Sequence, residues 1–114
     1  MSDQLFGSDQ VLNLVLGFAN PQKREIQDTD QLVGHMGAGL RDIVKNSLLA
    51  GKSVADVAQE FERLKSVIKD LQQNAGIAGL DANILAHARR QVSSYTPERV
   101  ADVGENRQRI IETD

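Results

Sequence analysis

Between Ser53 and Asn74 the apolar side chains return at alternating steps of three and four: Val54, Val57, Phe61, Leu64, Ile68 and Leu71. That spacing places all six on one stripe of an α-helix and does not fit a strand, whose side chains alternate with a period of two. Ser53 offers an N-cap, and Asp56 stands where a capping box has its acidic or amide partner. Read as heptads, Val54, Phe61 and Ile68 take the a positions and Val57, Leu64 and Leu71 the d positions. Two of the three a residues are β-branched and two of the three d residues are leucine, which favours paired helices. Glu60 at g and Lys65 at the following e would form a charge pair between parallel copies. Fewer than three heptads are present, and Ala58 and Val67 widen the stripe, so the same face also suits the inside of a bundle. The expectation carried forward is self-association, as a dimer, through this face.

The remaining segments read as shorter helices. Ser8-Asp9 caps a first helix through Val11, Leu12, Leu14, Val15, Leu16 and Phe18, stopped by Asn20-Pro21. It is apolar on nearly every side, so it is expected at the centre of a core or against a partner, with a buried strand as the competing assignment. Residues 20–30 form a polar connector. Thr29 or Asp30 caps a second helix carrying Leu32, Val33, Met36, Leu40, Ile43, Val44 and Leu48 on one face, ending at Ala50-Gly51. Gly34, Gly37 and Gly39 each cost that helix about 1 kcal/mol relative to alanine, which close packing against another helix would offset. Gly76 to Leu80 forms an apolar turn, and Asp81 caps a helix with Ile84, Leu85, Ala88 and Val92 inward. Thr96-Pro97 restarts a last helix through Val100, Val103, Ile110 and Ile111, since proline at the first helical position sacrifices no hydrogen bond. Gly104 is its expected break. The fold expected is all-α: a single domain over residues 1–114, a bundle of four to five short helices that dimerisation would complete, with residues 1–7 and 105–114 frayed and Leu5 and Phe6 as a small apolar anchor.

Composition narrows the chemistry. The 114 residues include 12 Leu, 10 Val and 7 Ile, enough for one core and too many for a disordered chain. Cysteine is absent, which removes disulfides, thiolate metal sites and thiol nucleophiles. The densest apolar run, residues 11–19, is half of what a membrane-spanning helix needs, and the acidic start does not read as a secretory signal, so a cytoplasmic protein is expected. Net charge is −3, with no strongly basic segment, so a nucleic-acid partner is disfavoured. The sharpest DNA-binding reading is a degenerate helix-turn-helix over 53–71, but Glu62-Arg63-Leu64 continues the heptad where a turn belongs.

Other constellations are ordinary. His35 and His87 lack companions at helical spacing for a metal face. The Gly34 to Gly39 stretch lacks the lysine and hydroxyl of a phosphate loop. Serines have no adjacent base, and Asp28 and Asp30 have no surroundings that would separate their pKa values. Arg89 and Arg90 form a cationic patch that reads first as a solvated face near a helix C-terminus, where the dipole favours positive charge, and only second as a contact for an acidic partner. No catalytic, metal or cofactor residue is expected. The function expected is a non-enzymatic protein-interaction module, the alternative being a small DNA-binding regulator.

Overall fold

The structure is a computed structural model that describes residues 7–104, with side-chain surroundings from Gln10 onward. It is all-helical among the described residues: α1 (Gly7–Ala19), α2 (Thr29–Leu49), α3 (Val54–Gln73), the single turn α4 (Ala75–Ala78), α5 (Ala82–Ser93) and α6 (residues 97–104). None is long and apolar enough to cross a membrane. Gly7 is the first residue of α1. Ser8 and Asp9, expected as the cap, fall inside α1 instead of ahead of it; the Leu5 and Phe6 anchor, the termini expected to fray, and Ile110 and Ile111 lie outside what is described.

Side-chain caps set most helix starts. Asp28 caps α2 by accepting from the Gln31 N–H at 3.0 Å, one residue earlier than the Thr29 or Asp30 cap expected, because the Asp28 backbone is extended and its carboxylate reaches back over the first turn. Ser53 accepts from the Asp56 N–H at 3.1 Å, and Asp81 accepts from Asn83 and Ile84. Thr96 accepts from the Arg99 N–H at 3.3 Å. Gly51 turns the chain out of α2 with φ +100°, a conformation that costs a side-chain-bearing residue dearly.

Packing is organised around α3. It lies mainly on α5, while α1 lies on α2, and α2 and α1 both reach α5. Val57, Phe61, Leu64 and Ile68 are buried inside the chain, with Val54 and Leu71 packed against the same core. These side chains are covered by the protein's own helices, so a second copy reaches them only by opening the bundle or exchanging α3. Glu60 pairs with Lys52 at 3.1 Å and Lys65 with Glu62 at 3.0 Å, both within the chain. Lys65 is therefore not held ready for a partner's Glu60. Of the two residues that widened the stripe, Ala58 is buried and Val67 is exposed.

α1 buries Val11, Val15 and Ala19 and leaves Leu12, Leu14, Leu16 and Phe18 half-covered. Its apolar residues outnumber the core positions available. Of the three α2 glycines, only Gly39 is a close-approach site: a Cβ there would stand 2.8 Å from Leu14 Cδ2 and 2.9 Å from Cδ1. Gly37 meets the Gln91 carboxamide at ordinary contact distance, and Gly34 faces open space. The expectation that all three serve helix packing is thus corrected to one. The turn after α3 also differs from the expected Gly76 to Leu80 turn, because Ala75–Ala78 is a single helical turn closed by Gly79 at φ +72°, and Ile77 stands 91% exposed on it.

Candidate functional site

A first depression of the described surface lies beside α1. Leu14, Gly17, Phe18, Ile26 and Leu32 line a mainly apolar groove of about 390 Å³, edged by Lys23, Arg24 and Glu25. It exists because α1 ends at Asn20-Pro21 and the following loop doubles back along it. Asn20 Oδ1 accepts from the Gln22 N–H at 3.0 Å and tightens that turn. Arg24 then fixes the loop. Its Nη1 donates to the Phe18 carbonyl at 2.9 Å and to Asp81 Oδ2 at 3.2 Å, and its side chain is only 10% exposed. The Asp81 N–H donates to the Ala19 carbonyl at 2.7 Å. One arginine thus ties the end of α1, its own loop and the start of α5 together, and the loop's Ile26 lines the groove with Phe18. In sequence Arg24 is one residue of the polar connector over 20–30; its role depends on Asp81, 57 residues away. Gly17 has nothing within 4 Å of where a Cβ would sit, so it leaves the groove open.

The second depression, about 460 Å³, lies between α2, the end of α5 and α6 and is lined by Gly37, Ala38, Arg41, Asp42, Gln91, Ser94, Tyr95 and Arg99. Tyr95 anchors it. Its ring meets Phe61 with centroids 4.9 Å apart and planes tilted by 58°, a favourable aromatic arrangement that pins the α5–α6 turn onto α3. Arg99 lies over the other side, its Cζ 5.2 Å from the ring centroid. Burial pushes the Tyr95 phenol above its ordinary value of 10.0, against the opposing pull of the Arg99 and Arg41 charges and of hydrogen bonding from Arg99. The phenol therefore stays protonated and neutral at physiological pH.

The third depression, about 560 Å³, is lined by Gln72, Ala86, Arg89, Arg90 and Ser93 on the outer side of α5. It brings together the Arg89 and Arg90 pair singled out from sequence. Arg90 Nη2 is 2.9 Å from His87 Nδ1, and Ser93 Oγ donates back to the Arg89 carbonyl at 2.7 Å. Positive charge near the C-terminal end of α5 is favoured by the helix dipole whatever else it meets.

His35 is exposed on α2 and lines none of these depressions. No group of three or more His, Asp or Glu that could hold a metal occurs among the described residues. The heptad residues Val54 to Leu71 line none of the three depressions either. α3 runs without a break through Glu62-Arg63-Leu64, so the 53–71 segment has no turn and is not a helix-turn-helix.

Fold and surface together define a small all-α bundle with an apolar groove at one end and an arginine-lined cleft between α2, α5 and α6. None of the protein-family models, curated proteins or solved structures with which the chain was compared matches it.

Proposed function

We propose that the protein is a non-enzymatic interaction module that docks another protein in the groove beside α1. The observation that carries this reading is the half-covered apolar lining of that groove, to which both Phe18 and Ile26 contribute, with the loop that carries Ile26 tied down by the Arg24–Asp81 pair. Maintaining open apolar surface forgoes about 25 cal/mol for each Å² left in water, so such a groove is a standing attraction for an apolar side chain from outside. Exposed Ile77 stands at the same end, because the segment following α4 is bonded to Ala19. The partner suited to this site is a short amphipathic segment offering one or two large apolar anchors, with an acidic residue beside exposed Lys23.

Self-association remains part of this reading, through the groove end and not through the α3 stripe, which the chain uses for its own core. Light scattering across a concentration series separates the two cases. A mass twice 12.5 kDa that returns to 12.5 kDa in Gly17→Leu makes a second copy the occupant.

The same substitution tests the function as a whole. Gly17→Leu fills the groove from its floor, where nothing stands within 4 Å of the added Cβ, and it raises helix propensity. The expected result is a chain at least as stable as wild type that no longer retains the partner wild type retains from its cell extract. A partner held equally well by Gly17→Leu would refute the groove as the docking site.

A further inference from the structure

The cleft between α2, α5 and α6 holds unused hydrogen-bonding capacity of two opposite kinds. Arg41 and Arg99 present exposed guanidinium groups along its edge, and no ion pair of either is found among the described residues. Each guanidinium is a planar fork of donors matched to an oxyanion. Gln91 supplies the complement. Its Nε2 donates to the Val33 carbonyl at 3.1 Å, which fixes the carboxamide, and its Oε1 is left buried with no partner. An orphaned buried carbonyl is costly, of the order of 1–3 kcal/mol, and calls for a donor. The carboxamide lies against Gly37, which also lines the cleft and has no side chain to stand between Gln91 and an incoming group. Asp42 adds a second acceptor on the same wall.

We propose that this cleft binds a ligand carrying a carboxylate and, a few bonds away, an N–H donor, the chemistry shared by a free amino acid and the C-terminus of a peptide. The carboxylate lies between Arg41 and Arg99, and the N–H reaches past Gly37 toward Gln91 Oε1 with Asp42 alongside. Its volume of about 460 Å³ lies within the range of small-molecule pockets. Phosphate fits less well: it would face Asp42 and bring nothing for Gln91 to accept from. This site is independent of the groove beside α1.

Tyr95 is the only tyrosine in the chain, and there is no tryptophan, so intrinsic tyrosine fluorescence reports on this cleft alone. The probes are glycine for a free amino acid, N-acetylglycine for a peptide terminus, acetate for a carboxylate without N–H, and inorganic phosphate, all at constant ionic strength. The expected result is a saturable change with glycine or N-acetylglycine, the tighter of the two naming the source, at about tenfold higher affinity than acetate or phosphate. Arg41→Ala, at an exposed position, weakens that binding about tenfold. Gly37→Ala keeps the helical circular dichroism and abolishes the advantage over acetate, because its methyl group covers the way to Gln91. The proposal is overturned by any of three results: no saturable response up to about 10 mM, acetate or phosphate binding as tightly as the N–H-bearing probes, or an unchanged response in Arg41→Ala.

Discussion

Two glycines five residues apart on α2 should respond in opposite directions to the same added methyl group. Gly34→Ala introduces a Cβ with nothing within 4 Å, so the only consequence is the better helix propensity of alanine, about 1 kcal/mol of added stability. For a chain of this length that corresponds to a melting temperature about 4–6 °C higher. Gly39→Ala gains the same propensity, but its Cβ would stand 2.8 and 2.9 Å from the two Leu14 methyl groups, where ordinary contacts begin at 3.4 Å. Those methyls must retreat by about half an ångström, and Leu14 already packs against the core. Overpacking of this kind costs about 1–3 kcal/mol. The net expectation is a Gly39→Ala chain between unchanged and about 2 kcal/mol less stable, leaving a gap of about 1–3 kcal/mol between the variants. Urea unfolding at a common m-value measures that gap directly. If Gly39→Ala is stabilised as much as Gly34→Ala, Leu14 moves freely and the close approach of α1 to α2 is wrong. A destabilised Gly34→Ala would equally refute the reasoning, since it would mean that something occupies the space beside residue 34.

Three further expectations concern ionisation, capping and the core. Titrating the phenol by ultraviolet absorbance should give a Tyr95 midpoint above 10.0, and Arg41→Ala should raise it further by removing a cation that favours phenolate. Because the unfolded chain ionises first, near 10.0, the stability tied to this phenol is fully present below that pH and is lost as pH rises from there through the folded midpoint; a midpoint at or below 10.0 would contradict the burial. Ser53→Ala should cost about 1 kcal/mol in urea unfolding by removing the cap on the Asp56 N–H, and no loss would show that the cap contributes nothing. Ile68→Asp buries a carboxylate at a fully enclosed position with no polar side chain buried beside it, so circular dichroism should show an unfolded chain. A folded monomer would instead place the α3 stripe at a surface.

What the sequence made legible was whatever depends on neighbours within a turn or two. The 3,4 spacing of Val54 to Leu71 fixed α3 as one unbroken helix, and the short polar side chains Ser53, Asp81 and Thr96 marked starts because an N-cap is a contact over three residues. It could not tell which surface covers the α3 stripe. A heptad seam and the inner face of a bundle bury the same atoms and have the same periodicity; only the presence of α5 against α3 distinguishes them, and that is a tertiary fact. Ile77 shows the converse: it belongs to an apolar turn closed by Gly79, yet it stands 91% exposed.

The candidate sites were the least legible because each is assembled from residues far apart in the chain. Gln91 bonds to the Val33 carbonyl 58 residues away, and Arg24 to Asp81 57 residues away. Taken singly, an exposed arginine, a glutamine on a helix and a loop Lys-Arg pair are what any solvated surface offers, and no local pattern sets them apart. A usable signal lay in supply instead of spacing. With one tyrosine and three phenylalanines in 114 residues, each aromatic has to serve several helices, and Tyr95 follows α5 just before the Thr96-Pro97 restart. An aromatic there must fold back onto the core, as it does onto Phe61. With Tyr95 there, the first turn of α6, through Arg99, lines one cleft with Arg41 of α2. The scarcity of aromatic residues therefore leaves the one tyrosine at the junction whose cleft both arginines line.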